Sequence, residues 1–124
     1  MTSSAEQNLA SLGITLPEAP SPAANYVPYV IVGDMVYVSG QVPFVNGGLQ
    51  VTGKVGDTVT IEQAAGEARI CAINLIAQLK AACGGDLSRV VQVVKLGGFV
   101  ACTADFTDQP EVMNGASNLM VEVF

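Results

Sequence analysis

The sequence predicts a one-domain α/β protein that assembles with copies of itself. Short apolar runs punctuated by turn residues fill 29–51, and an apolar stripe at helical spacing fills 61–83. A valine-rich run and a second helical stretch follow. Half of the 124 residues are hydrophobic and only 13% are charged, against about 25% in an ordinary soluble domain. A monomer with so few charges would struggle to cover its own surface, so a membrane or partner subunits must take up the apolar excess. No uninterrupted run approaches the ~20 apolar residues of a spanning helix. The N-terminus lacks the basic and apolar regions of a signal peptide. We therefore expect a cytoplasmic oligomer.

Taken in order, Ser3-x-x-Glu6 is a capping-box pattern that would start a short helix over 5–12, stopped by Gly13. Leu16-Pro17-Glu18-Ala19-Pro20-Ser21-Pro22 is an extended arm, because each proline restricts the residue before it. Residues 29–32 and 35–39 flank Gly33-Asp34 and read as a hairpin. Pro43-Phe44-Val45 and Leu49-Gln50-Val51 flank Asn46-Gly47, the favoured two-residue hairpin turn. Thr60-x-x-Gln63 is another capping box and opens a helix over 61–83, ended by Gly84-Gly85. Ala64, Ala68, Cys71, Leu75 and Leu79 form its apolar stripe.

The run 89–102 reads as a long strand in which Gly97-Gly98 suggests a bulge or a close backbone approach. Asp108-Gln109-Pro110 begins the last helix, with proline tolerated in its first turn. Residues 35–38 and 90–96 are apolar at odd and even positions alike, so both sheet faces are expected to be buried. The two long helices can cover one face, and partner subunits would cover the other.

Net charge is −6, and Lys54, Arg69, Lys80, Arg89 and Lys95 form no run. Nucleic-acid binding needs basic groups to neutralise phosphates, so no such partner is expected. Cys71, Cys83 and Cys102 are odd in number and lack metal-like spacing. We read Cys71 and Cys83 as packing residues of the helix, and expect neither metal nor cofactor. The absence of histidine excludes Ser-His-Asp and Cys-His nucleophile pairs within the chain. It also removes the commonest general base, leaving carboxylates, hydroxyls, backbone groups or bound water for any chemistry.

Gly33-Asp34-Met35-Val36-Tyr37-Val38-Ser39-Gly40-Gln41-Val42-Pro43 resembles the first-hairpin signature of the RidA (YjgF-type, L-PSP-labelled) family. Tyr26 stands at the spacing of that family's N-terminal Pro-Tyr, with Asn25 in place of the proline. The helix over 62–83, with Gly-Gly-Asp-Leu-Ser-Arg-Val-Val after it, is similar to the family's step into a strand. Val94-Lys95, Phe99 and Ala104-Asp105-Phe106 follow in register. The resemblance runs from about Tyr26 to Phe124, making residues 1–25 an extra helix and proline-rich arm.

What the resemblance implies is a chorismate-mutase-like fold, a mixed sheet with two helices on one face, three copies of which close into a barrel. The family's sites lie in clefts between subunits, where reactive enamines and imines such as 2-aminoacrylate are hydrolysed to keto acids and ammonia. A non-enzymatic metabolite-binding or regulatory protein is the alternative, and an endoribonuclease a weaker one. By this resemblance Tyr26, Ser39, Gly98, Phe99 and Asn118 are substrate-binding candidates. Each has a plainer reading. Tyr26 can pack its ring on the sheet, and Ser39 can bond the adjacent turn. Gly40 and Gly97 can serve the backbone alone. Asn118 competes with Ser117 for the family's helix asparagine, and either can be an exposed helix position. Arg89 reads as solvated rather than carboxylate-binding. The family's carboxylate-binding arginine lies on a strand after the second helix. We therefore expect the chain to be a domain short of its C-terminal strand.

Overall fold

The computed structural model describes residues 4–22 and 24–124. The Ser3 half of the first capping box lies outside them. Helix α1, Ser4–Ser11, is stopped where Gly13 takes a positive φ of 72°, and its buried Ala5 and Leu9 face the core. Strands β1 (Tyr29–Val32) and β2 (Met35–Val38) form the expected antiparallel hairpin, with Val32 opposite Met35 across the turn. A second, shorter hairpin pairs β3 (Phe44–Val45) with β4 (Gly48–Leu49). Asn46 and Gly47 stand at φ 52° and 78°, the pair of positive angles that a type I′ turn requires.

Helix α2, Ile61–Ala82, is about 33 Å long at 1.5 Å per residue. Its capping box is complete: Thr60 Oγ1 accepts from the Gln63 amide at 3.1 Å, and Gln63 Oε1 accepts from the Thr60 amide at 2.9 Å. At the other end the Gly85 amide donates to the Lys80 carbonyl at 2.8 Å, so orphan carbonyls of the last turn are met. A 3-10 turn at Leu87–Arg89 follows. Helix α3, Gln109–Val123, carries Pro110 in its first turn.

The three helices pack around one main core. Ala72 and Ile76 of α2 meet Leu119, Met120 and Val123 of α3, with Leu9 and Leu87 closing the cluster. A second cluster gathers Val55, Val59, Ala64 and Val112. The helices approach so closely at Gly115 that a methyl group there would overlap the Ala65 backbone carbonyl. The hairpin β1–β2 lies against α2, with Val36 and Val38 half-buried and Met35 and Tyr37 exposed.

The sequence expectation for the run 89–102 is corrected. The run 89–102 is not a regular strand: beyond the Leu87–Arg89 turn, it forms no ladder among the described residues apart from isolated parallel bridging of Cys102 to Val55. Val90, Val93 and Leu96 pack against the main core, an every-third spacing rather than the every-second spacing of a strand. Apolar content alone cannot supply a ladder, and no neighbouring strand offers this segment its backbone groups. Gly97-Gly98 therefore marks no bulge; Gly98 instead lets the backbone approach the Met113 side chain of α3. Val30, Ile31, Val32, Tyr37, Val91 and Val94 are all exposed in the single chain, the face that the sequence reading left to partner subunits. The described residues make two separate two-stranded antiparallel sheets, a mixed α/β arrangement rather than one continuous mixed sheet.

Candidate functional site

The proline arm and the end of the first hairpin border a shallow crevice of about 10 Å³, room for about one water. Pro20, Ser21, Pro22 and Tyr26 form one wall. Gly40, Gln41, Val42 and Phe44 form the other. Tyr26 is partly exposed here, its amide bonded to the Ala24 carbonyl at 2.9 Å. Gly40 presents bare backbone at the hairpin exit, where nothing stands within 4 Å of the side chain it lacks.

Ser39 is adjacent to this cleft but its hydroxyl is occupied. It donates to the Val27 carbonyl at 2.6 Å, and the Ser39 amide donates to the Pro28 carbonyl at 2.9 Å. These bonds tie the hairpin exit to the segment leading from Tyr26. The Gln41 amide group returns to the Ser39 carbonyl at 3.2 Å, tightening the same corner.

Of the candidates named from sequence, the chain thus brings Tyr26 to the crevice, while Ser39 lies outside its lining, next to Gly40 in sequence and bonded to Val27. Gly98, Phe99 and Asn118 line no part of it. Phe99 is fully exposed, and Asn118 is an exposed position of α3 beside half-buried Ser117. Arg89 donates from Nη1 to the Cys83 carbonyl at 3.3 Å, a helix-end contact. Lys80 pairs with Glu6 at 3.3 Å across α2 and α1. No group of three or more metal-ligating side chains occurs among the described residues, and none of their helices is long and apolar enough to cross a membrane.

Sequence reading passed over Asn74 and Gln78, the two buried polar residues of the described chain. Gln78 Nε2 donates to the Pro20 carbonyl at 2.7 Å. Asn74 Nδ2 donates to the carbonyls of Val42 at 3.1 Å and Phe44 at 3.2 Å. The signal was present: two carboxamides one helical turn apart, set among alanines, isoleucines and leucines.

The comparisons with known proteins agree with this architecture. Residues 6–124 match the family model described as "YjgF/chorismate_mutase-like, putative endoribonuclease". The chain belongs to this YjgF family. Its relatives include Protein TCP17 of Trypanosoma cruzi, 47% identical over 117 residues that make up 94% of this chain and 72% of that protein. The crystal structure of protein Atu1372 from Agrobacterium tumefaciens, described as of unknown function, superposes with a TM-score of 0.86 at 48% identity, over 96% of this chain and 71% of that one. A Shewanella oneidensis structure named "putative endoribonuclease" superposes with a TM-score of 0.92 at 38% identity, over 97% of this chain and 79% of that one. Membership in the YjgF family accounts for the hairpin signature, the long capped helix and the glycine-rich step after it.

Proposed function

We propose that this YjgF-family protein is a RidA-type deaminase that hydrolyses enamine and imine intermediates of small amino acids at clefts completed by neighbouring subunits of a homotrimer. The observation that carries the reading is the juxtaposition of Tyr26 and the bare backbone of Gly40 in one crevice, with Ser39, beside Gly40, bonded to Val27, beside Tyr26. An enamine such as 2-aminoacrylate tautomerises to the imine. Water then adds to the imine carbon, and the tetrahedral adduct expels ammonia to leave the keto acid. The reaction is intrinsically easy, so a site need only hold the substrate, exclude bulk solvent and orient one water. A phenol hydroxyl and backbone groups suffice for that, and a chain without histidine is no obstacle. In the trimer the exposed Phe99 and Asn118 of a neighbouring copy would complete the walls. The reaction needs no cofactor and is assigned to the cytoplasm, where amino-acid enamines arise.

The assay is the decay of imines generated in situ by an amino-acid oxidase, with the uncatalysed decay as baseline. Acceleration is expected for small amino-acid imines. Replacing Tyr26 by Phe removes only a hydroxyl and is expected to slow turnover ~10-fold, the worth of one hydrogen bond, with the assembly unchanged. If no small imine decays faster with the protein present, the cleft binds a metabolite without turning it over. The relatives' endoribonuclease naming makes RNA the second substrate to try. Five scattered basic residues against a net charge of −6 speak for no cleavage and no binding at physiological salt.

A further inference from the structure

We propose that Asn74 and Gln78 of α2 are positioning residues that set the width of the Tyr26–Gly40 cleft by holding its two walls from one rigid helix. The inference rests on reading that cleft as the binding site. The two carboxamides are four residues apart and therefore project from the same helix face. Each is almost entirely buried, Asn74 at 2% exposure and Gln78 at 1%. Burying a carboxamide is unfavourable unless its hydrogen bonds are made, and here they are made to opposite walls. Gln78 holds Pro20 on the arm side. Asn74 spends both of its donors on Val42 and Phe44 on the hairpin side.

Leu16 anchors the start of the arm on the main core. Among the described residues of 15–22, the bond from Gln78 to Pro20 is the single hydrogen bond recorded. Three prolines in that stretch have no backbone N–H to give. The other wall consists of the bend between the two hairpins, where the Phe44 amide bonds back to Val42 at 2.8 Å and Asn74 donates to the Val42 and Phe44 carbonyls. The frame behind them is α2, which shares the main core with α3. Pro20 on the arm and the Val42–Phe44 bend are therefore placed relative to each other through α2, beside the direct tie of Ser39 to Val27.

The test uses the full chain labelled with 3-fluorotyrosine. Its three tyrosines give three fluorine signals, assigned by single Tyr→Phe replacements. Gln78→Met keeps the length and apolar packing but removes the donor. Its Tyr26 signal is expected to shift and sharpen while that of Tyr37 stays in place. Gln78→Asn, too short to reach Pro20, is expected to do the same and serves if the methionine variant does not fold. Asn74→Leu is expected to raise the hydrogen-exchange rate of the Phe44 amide at least ~10-fold, as a lost hydrogen-bonded brace allows. Val112→Ala, in the second core cluster, lowers stability without touching the cleft and is expected to leave both signals unmoved. In the imine assay, Gln78→Met is expected to raise KM about 10-fold with kcat within about twofold, the pattern of lost uniform binding. A Tyr26 signal in both Gln78 variants that matches the unaltered protein overturns the proposal. A protein inactive towards imines overturns the deaminase reading instead, and the fluorine signals still decide the positioning.

Discussion

Cys71 lies half-buried on α2, one turn after Glu67, whose Oε2 is buried without a hydrogen-bond partner. Burial pushes the Cys71 thiol up from 9.0 to about 11, and the neighbouring Glu67 charge adds to the rise. Only the thiolate attacks electrophiles. In a chain whose Cys83 and Cys102 are replaced by Ala, iodoacetamide at pH 8 is expected to modify Cys71 roughly 100-fold more slowly than an unfolded cysteine peptide, the ratio set by two pKa units. Glu67→Gln is expected to speed it. The sign for stability follows from the raised value. The folded state keeps the proton longer than the unfolded one, so this contribution is whole below pH 9 and is lost between pH 9 and 11. The Cys71→Ala chain is expected to lose less stability across that window in urea titrations, and an equal loss would refute the assignment. At this same scale, sequence showed which residues are unusual but not their partners. Ser39 was legible as a hairpin-exit hydroxyl, whereas its bond to Val27 depends on where the arm returns. Asn74 and Gln78 were invisible as braces because their acceptors are backbone carbonyls 32 and 58 residues away, which carry no side-chain signature.

Among elements, those governed by local chemistry were legible. Thr60 and Gln63 specify one helix end, Gly84-Gly85 the other, and Asn46-Gly47 the tight turn, all through contacts within five residues. The run 89–102 was not, because a strand is defined by its neighbour, and valine content describes only a tendency to accept one. Helix pairing escaped for a similar reason. Gly115 reads as a weak point in a helix, yet its role is to let α3 touch the Ala65 carbonyl of α2. Gly115→Ala would raise helix propensity by about 1 kcal/mol but must drive the helices apart, and overpacking costs roughly 1–3 kcal/mol. Gly66→Ala on α2 meets nothing within 4 Å and gains propensity alone. We expect the Gly115 variant to melt below, and the Gly66 variant above, the parent chain. A Gly115→Ala chain as stable as the Gly66 variant would show that the helices are not in contact there.

For the whole molecule, the surface left by one chain poses the remaining problem. Val30, Ile31, Val32 and Tyr37 are about half exposed, Val91 is 98% exposed and Phe99 entirely so. An apolar surface of this kind on a chain with 13% charged residues is what an interface would cover, and the sequence foretold both the excess and its place, on residues 35–38 and 90–96. It falls on the hairpin and on the extended run after α2, both of which the helical core leaves bare. Assembly as the proposed trimer would cover them and bring Phe99 of one copy towards the cleft of the next. Light scattering at micromolar concentration is expected to return three times the chain mass of 12.7 kDa. Ile31→Glu sets a charge on the bare hairpin, where nothing in the single chain buries it, so the fold of each chain is expected to survive with its helical circular dichroism intact. In the trimer the same carboxylate would be buried unpaired, a cost of several kcal/mol, and the mass is expected to fall to that of one chain. A parent protein that scatters as a stable monomer defeats the trimer. A trimer indifferent to Ile31→Glu would keep the assembly but move its interface off this hairpin face, leaving the run 90–99 as the surface that joins the copies.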